Sequence, residues 1–196
     1  LVTAFDRGLA LLRSRTPIQL VLAGKSHPQD EEAKRTLRRV MEFRRVPGVG
    51  ERVVFLEDYD LHAAPCIMAG VDVWLNLPLP LNEASGTSGM KVAMNGGLNL
   101  SVLDGWWAEA WDGANGWAIE STGDSAHQRD VRDANAMFDL FEREVVPLFY
   151  DRDASGIPHR WLERVRHSMQ TLIPRFTAER MLCDYVERAY TPGQGA

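Results

Sequence analysis

The segment VDVWLNLPLPLNEASGTSGMKVAMNGGLNLSV, residues 71–102, predicts a strand, a helix and a second strand in that order. Residues 71–75 form an apolar run of strand length, and the prolines within 77–80 exclude the next segment from a sheet. Residues 90–95 have the pattern of a helix, and 98–102, with apolar residues at every second position, are a further strand candidate. Two strands joined through a helix are expected to lie parallel in one sheet.

The residues on either side continue this alternation. The predicted helices are 2–14, a segment from Asp30 to Gly48, and 61–69, and the predicted strands are 18–22, 52–56 and 116–119. Repeated β–α units predict an α/β fold with a parallel, doubly wound, Rossmann-like sheet. Such sheets bind their ligands at the carboxyl ends of the strands.

From about residue 127 the pattern is helical only. Apolar stripes at helical spacing predict three helices there, with a polar turn at 151–158 between the first two. We therefore predict two domains. Residues 1–126 would form the α/β domain, incomplete at its N-terminus, and 127–196 would form a helical segment that packs on the same lobe.

The composition is that of one ordinary globular domain. The 196 residues carry a net charge of −5 and are 45% hydrophobic, which excludes long disorder and argues against a nucleic-acid partner. No apolar run approaches the ~20 residues of a membrane span, and no signal-peptide pattern is present. Cys66 and Cys183 lack metal-ligand or disulfide-framework spacing, so we predict no metal site and a cytoplasmic location. Because the chain opens on Leu1, we interpret it as part of a longer protein.

The segment 83–91, EASGTSGMK, contains the predicted chemistry. It follows a strand and opens a helix, so unpaired backbone N–H groups and the positive end of the helix dipole face the loop. Glycines allow close backbone approach and hydroxyls add donors, which predicts an anion site, most naturally for a phosphate. The segment is not a P-loop, because Met90 precedes Lys91 and Val92 follows it. A flexible Gly/Ser connection is an equally good interpretation of the pattern alone.

Lys91 is predicted in the first turn of that helix, where a cation opposes the helix dipole. Lysine forms Schiff bases, and pyridoxal phosphate needs an anion site beside its lysine, so this placement suggests a cofactor site. A solvated surface lysine is the alternative that the residues alone leave open.

These residues match a known family. The segment 83–91, followed by Asn95-Gly96 and Asp104-Gly105, resembles the pyridoxal-phosphate signature of the α-glucan (glycogen, starch and maltodextrin) phosphorylases. Leu56-Glu57-Asp58-Tyr59 is similar to the Leu-Glu-Asn-Tyr segment of that family. Further segments resemble its shorter bacterial-type branch: GKSHP at 24–28, DGWW at 104–107 and NGWAI at 115–119. The resemblance implies the cofactor-bearing C-terminal lobe of a two-lobed, GT-B-type glycosyltransferase fold.

The resemblance also implies a role for each residue of the site. Lys91 would bind the aldehyde of pyridoxal 5′-phosphate, with Lys91 and Thr87 as the catalytic residues. Gly86, Thr87 and Ser88 would cradle the cofactor's 5′-phosphate, and Tyr59 would pack at its ring. The glucosyl unit would be held by Glu83 and by the backbone of Ser85 and Gly86.

Members of this family release α-glucose 1-phosphate from terminal α-1,4-linked glucose with retained configuration, using the cofactor's phosphate as a proton relay. The implied partners are an α-1,4-glucan, inorganic phosphate and the N-terminal lobe of the same polypeptide. The family's Lys/Arg cluster for phosphate would lie upstream of Leu1. No nucleic-acid or membrane partner is implied, and assembly into a homo-oligomer stays open.

Two other functions are alternatives for this sequence. A retaining nucleotide-sugar glycosyltransferase of the glycogen-synthase type typically has a second Glu eight positions after the first, and Lys91 stands there relative to Glu83. A non-catalytic glucan-binding module would not need Lys91 and Thr87 together, and its cofactor content would distinguish it. The clustered tryptophans are expected to pack in a core rather than stack on a sugar; they are Trp106, Trp107, Trp111 and Trp117.

Overall fold

The computed structural model describes residues 3–123 and 125–190, so the predicted start of the first helix at Val2 lies outside the described residues. In chain order the elements are α1 (Phe5–Leu12), β1 (Leu20–Ala23), α2 (Glu31–Arg44), β2 (Val53–Leu56), α3 (Ala63–Gly70), β3 (Val73–Asn76), α4 (Thr87–Met94), β4 (Leu98–Val102), α5 (Gly105–Ala110), β5 (Gly116–Ile119), α6 (Ala126–Leu140), α7 (Val146–Tyr150), α8 (His159–Leu172) and α9 (Ala178–Tyr185). Two π-helical turns, Phe141–Val145 and Val186–Tyr190, follow α6 and α9.

The described residues form two compact units, each built from two separate segments of the chain. The first unit comprises the described residues of Leu1–Cys66 and Ser121–Tyr150, and the second those of Ile67–Glu120 and Asp151–Ala196. The helices α6 and α7 therefore belong to the first unit, and α8 and α9 belong to the second. The predicted boundary between residues 126 and 127 stays a prediction.

The first unit contains a parallel pair of strands, β1 and β2, in which Leu20 lies opposite Val53. Leu12 of α1 and Phe43 of α2 pack with Val49 and Val53 into a buried apolar cluster. The helix α2 begins where the sequence predicts it, because the carboxylate of Asp30 accepts a hydrogen bond from the Ala33 N–H and caps the helix.

The second unit contains a parallel sheet of three strands in the order β3-β4-β5. The central strand β4 is buried at all five of its positions, and its two polar side chains, Asn99 and Ser101, both donate hydrogen bonds to backbone carbonyls. Next to the sheet lies a second apolar cluster; its buried members are Ala93, Trp106, Trp107, Ala110 and Leu172. These strands and helices position the loops of the candidate site.

The predicted α/β class with parallel strands is confirmed, and the bounds of β4 and β5 match the sequence prediction. The expected packing role is also confirmed for Trp106, Trp107 and Trp117, which are 5%, 0% and 3% exposed, whereas Trp111 is 37% exposed. The short helix α5, whose N-terminus is capped by the Asp104 carboxylate, was not predicted from the sequence.

Two general properties of the described residues bear on function. Among them, no helix combines the length and apolarity needed to cross a lipid bilayer. The same part of the chain contains no group of three His, Cys, Asp or Glu side chains that could hold a metal ion.

Candidate functional site

The candidate site lies at the carboxyl ends of two neighbouring strands of the second unit. The strands β3 and β4 pair with Asn76 opposite Ser101, so the loops that follow them leave the same edge of the sheet. The β3–α4 loop, residues 77–86, carries the predicted sugar-binding residues, and the β4–α5 loop carries Asp104. This edge is where parallel α/β sheets bind their ligands.

Gly86 directly precedes α4 and has a backbone conformation that other residues rarely adopt. Its φ is +75°, and a Cβ atom at this position would lie 2.5 Å from Cδ1 of Trp106. Gly89 is confined similarly, because its Cβ would lie 2.5 Å from Oδ1 of Asn99. The Asn99 side chain donates a hydrogen bond of 3.1 Å to the Gly89 carbonyl and ties α4 to β4. Because neither glycine has a side chain, the first turn of α4 packs directly against Trp106 and Asn99.

The helix α4 has two distinct faces. Gly89, Val92 and Ala93 are buried, whereas Thr87 and Lys91 are exposed. Thr87 and Lys91 are four residues apart, so their side chains project from the same face of the helix. The backbone of α4 is held by its buried face, which leaves the hydroxyl and the amine of the other face available to a ligand.

The predicted position of Lys91 in the first helical turn is wrong. The helix begins at Thr87, earlier than the expected start after Gly89, because the left-handed Gly86 already turns the chain into it. Lys91 is therefore the fifth helical residue and lies in the last turn, where a cation interacts favourably with the helix dipole. Its amine lies one turn beyond Thr87, near enough along the helix to act with the first-turn donors on one ligand.

These residues fit a ligand that carries both a phosphate and an aldehyde. The first turn of α4 presents backbone N–H groups and the Thr87 and Ser88 side chains, and Lys91 supplies a primary amine. Pyridoxal phosphate has this pair of functional groups, so the donor set is compatible with the cofactor that the family signature implies.

Glu83 is half-buried and held from two directions. Its backbone N–H donates a 3.0 Å hydrogen bond to Oδ2 of Asp104, and its Oε2 accepts a 3.3 Å bond from Nδ2 of Asn76. Its Oε1 lies 3.3 Å from the point where a Cβ of Gly86 would be. Glu83 and the start of α4 are thus brought together, with the exposed Ser85 between them.

Tyr59 belongs to the other compact unit. It is half-buried in the β2–α3 connection, one residue after Asp58, whose φ is +52°. Its predicted packing against the cofactor ring stays a prediction. In the same unit, Nζ of Lys25 lies 3.1 Å from Oδ1 of Asp58 and forms an ion pair with it. This contact is typical of a structural lysine in a turn.

Three further residues contact Glu83 or the position of Gly86, although no role at the site was predicted for them: Asn76, Asp104 and Trp106. Hydrogen bonds from the Glu83 N–H, above all, and from the Gly105 N–H hold the pKa of Asp104 below its ordinary value. An Asp-Gly pair directly after a strand is a signal for such a cap. The approach of Trp106 to Gly86 has no comparable signal, because it depends on how α5 packs against α4.

Comparison with known proteins identifies the family. A model of the family described as carbohydrate phosphorylase matches residues 7–130. The chain is 51% identical over 184 residues to a glycogen phosphorylase of Mycobacterium tuberculosis, which is 93% of this chain and 21% of the relative. It is 46% identical over 181 residues to a glycogen phosphorylase of Aquifex aeolicus, covering 91% of this chain and 26% of the relative.

A third relative, a maltodextrin phosphorylase of Thermococcus litoralis, is 42% identical over 177 residues, covering 89% of this chain and 21% of the relative. The chain thus spans about a fifth to a quarter of the length of the curated relatives it matches. The resemblance predicted from the signature is confirmed, since the family model covers more than half of the sequence. The chain belongs to the carbohydrate phosphorylase family.

Proposed function

We propose that this chain is part of an α-glucan phosphorylase, which uses inorganic phosphate to remove terminal α-1,4-linked glucosyl units as α-glucose 1-phosphate with retained configuration. Its relatives are named as glycogen and maltodextrin phosphorylases, so glycogen or maltodextrin is the proposed glucan. The observation that carries the proposal is the two-faced helix α4, which displays Thr87 and Lys91 on one exposed face directly after Glu83.

In the proposed mechanism, this chain supplies one side of the reaction site. The first-turn N–H groups of α4 and the Thr87 hydroxyl would hold the phosphate of pyridoxal phosphate, and the Lys91 amine would hold its aldehyde. The bound group would supply a phosphate monoester whose second pKa of ~6 suits proton exchange near neutral pH. Glu83 would accept a hydrogen bond from a hydroxyl of the glucosyl unit, and the backbone at Ser85 and Gly86 would orient that unit.

The finer architectural expectations belong to the same proposal. The parallel strands support a doubly wound sheet and the C-terminal lobe of a GT-B-type fold, with the other lobe supplied by the same polypeptide. A reducing, cytoplasmic location is supported by Cys66 and Cys183, which are both free and exposed. The competing nucleotide-sugar glycosyltransferase is disfavoured because an amine, Lys91, lies on the exposed face of α4 where that class carries a carboxylate.

The decisive experiment maps the cofactor on the full-length protein that contains this chain. Borohydride reduction of the freshly purified, active protein, followed by digestion and mass spectrometry, is expected to find a pyridoxyl group on the Lys91 peptide. The peptide with the exposed Lys25 is the internal control and should be unmodified. An active protein whose Lys91 peptide is unmodified would contradict the proposal, and a protein without cofactor or phosphorolysis would support a non-catalytic glucan-binding module.

A further inference from the structure

We propose that Asp104 is a positioning residue for the proposed reaction: from the neighbouring β4–α5 loop, its carboxylate fixes the backbone of Glu83. The inference rests on the sugar-binding role proposed above for Glu83. Asp104 would act through Glu83 and need not touch substrate or cofactor itself.

The two carboxylate oxygens of Asp104 serve two different loops. Oδ1 accepts a 2.9 Å hydrogen bond from the Gly105 N–H and caps α5, whereas Oδ2 accepts a 3.0 Å bond from the Glu83 N–H. Hydrogen bonding from backbone N–H groups, above all that of Glu83, holds the pKa of this carboxyl below its ordinary value. The Asp104 carboxylate therefore joins the β3–α4 loop to the start of α5.

The backbone around these bonds is shaped for a close approach. Gly105 has a φ of +51°, and a Cβ on it would lie 2.9 Å from Cγ and 3.1 Å from the carbonyl oxygen of Glu83. A residue with a side chain would therefore push the two loops apart. Leu81 also has a left-handed φ, +68°, although its side chain is 94% exposed. Leu81 lies two residues before Glu83, whose N–H donates to the Asp104 carboxylate.

The side chain of Glu83 is held as well as its backbone. Asn76, the last residue of β3, donates a 3.3 Å hydrogen bond to Oε2 of Glu83. With the backbone anchored by Asp104 and one carboxylate oxygen anchored by Asn76, the other oxygen, Oε1, has a defined direction beside Gly86. A fixed acceptor is what a sugar hydroxyl needs, because an unfixed one loses its orientation before binding.

A double-mutant cycle tests whether Asp104 acts through Glu83. Asp104→Asn retains an oxygen to cap α5 but places an amide NH₂ against the Glu83 N–H. In the full-length protein, kcat/KM for maltodextrin should fall on the order of tenfold. In a Glu83→Ala background the same substitution should change kcat/KM by less than about twofold, because the Glu83 carboxylate, whose position depends on Asp104, is absent.

The matched control for this cycle is Asp112→Asn. Oδ1 of Asp112 also accepts two backbone hydrogen bonds, from the Ala114 and Asn115 N–H groups at 2.9 Å each, but it anchors the α5–β5 connection instead. Asp112→Asn should change kcat/KM by less than about twofold relative to the protein into which it is introduced, whether wild type or Glu83→Ala. Equal losses from Asp104→Asn with and without Glu83 would overturn the proposal, because a merely structural residue acts independently of Glu83.

Hydrogen exchange gives a readout that does not depend on activity. The peptide spanning residues 77–86 should exchange faster in Asp104→Asn than in the wild type, and should be unchanged in Asp112→Asn. If Asp104→Asn does not fold, Asp104→Ser serves instead, because serine is a good helix cap and is too short to reach the Glu83 N–H. Unchanged exchange would overturn the positioning role, whereas faster exchange in a protein without phosphorolysis would overturn the proposed function alone.

Discussion

Single residues at the start of α4 combine a conformational and a steric requirement. Gly86 needs a left-handed backbone and also has no room for a methyl group, because Trp106 lies beneath it. Gly113 provides a natural comparison: its φ is +88°, but a Cβ there would meet nothing within 4 Å. The pair separates the cost of the backbone conformation from the cost of the clash.

We predict that Gly86→Ala destabilises the protein more than Gly113→Ala. The exposed Gly113→Ala should cost about 1–2 kcal/mol for the left-handed conformation alone, and Gly86→Ala about 1–3 kcal/mol more for overpacking against Trp106. Urea unfolding of the two variants beside the wild type measures the difference. Equal losses would show that Trp106 moves aside without cost.

We predict that Glu83→Ala impairs catalysis and leaves cofactor content near normal. A sugar hydroxyl would lose its charged acceptor, so transition-state binding should weaken by ~2–4 kcal/mol. The measurement is kcat/KM of the full-length protein, with Glu109→Ala, an exposed glutamate on α5, as the matched control. Wild-type activity in Glu83→Ala would show that the assigned role is wrong.

At the scale of elements, the sequence predicted those whose signal is local. The strand β4, with apolar residues at Leu98, Leu100 and Val102, and the short β5 were predictable because buried parallel strands are rich in apolar side chains. The six residues of α5, GWWAEA, were missed because they are too few to show helical periodicity and contain two bulky tryptophans. The turn at 151–158 carried clear turn residues, whereas the predicted end of α2 at Gly48 was wrong, because the helix already ends at Arg44.

The same distinction applies to the candidate site. Residues 83–91 form one contiguous signature, from which the sequence predicts an anion cradle beside an amine, and this site stays a prediction. The contacts of Asn76 and Asp104 with Glu83 were not, because they depend on the pairing of β3 with β4, in which Asn76 lies opposite Ser101. Such pairing brings together residues that are far apart in sequence, and no local pattern reports it.

A contact between Asp112 and His167 within the second unit is expected to be sensitive to acid. Oδ2 of Asp112, in the α5–β5 connection, lies 2.8 Å from Nε2 of His167 on α8. Burial acts to raise the pKa of Asp112, but the N–H groups of Ala114 and Asn115 together with the His167 ring outweigh it and hold the pKa below its ordinary value.

We predict that this contact stabilises the fold at neutral pH and is lost in acid. For a carboxylate with a lowered folded pKa, the stabilisation is present above the unfolded pKa of ~3.9 and disappears as pH falls through the folded value. Asp112→Asn should therefore be less stable than wild type at pH 7 and should lose less stability below about pH 4. Urea unfolding midpoints of Asp112→Asn and wild type, measured at pH 7 and below pH 4, test this expectation, with the exposed Asp130→Asn as control. A stability difference between variant and wild type that is the same at both pH values would contradict it.

At the scale of the whole molecule, the proposed reaction needs more chain than these residues supply. The 196 residues span about a fifth to a quarter of the relatives' length and would contribute one set of groups: the amine, the proposed anion cradle and the proposed sugar-binding loop. Phosphorolysis requires phosphate and sugar to be held together while water is excluded.

We predict that the 196 residues expressed alone form no glucose 1-phosphate from glycogen or maltodextrin. Two phosphate groups would repel each other with little to offset them, so cofactor binding should be weak and reversible. A coupled assay for glucose 1-phosphate, with Lys91→Ala of the same length as control, provides the measurement. Product above that control would show either that the rest of the protein is dispensable or that the proposed chemistry is wrong.

The two compact units are interleaved along the chain, which passes between them at Cys66, Glu120 and Tyr150. During synthesis, the first unit therefore waits for its second segment until residue 150 has left the ribosome, about 80 residues after its first segment is finished. At translation rates of ~5–20 residues per second, that delay is on the order of ten seconds. Throughout it, Arg7 of α1 lacks its partners on α6, the Asp139 carboxylate and the Phe138 ring, so the first unit stays incomplete.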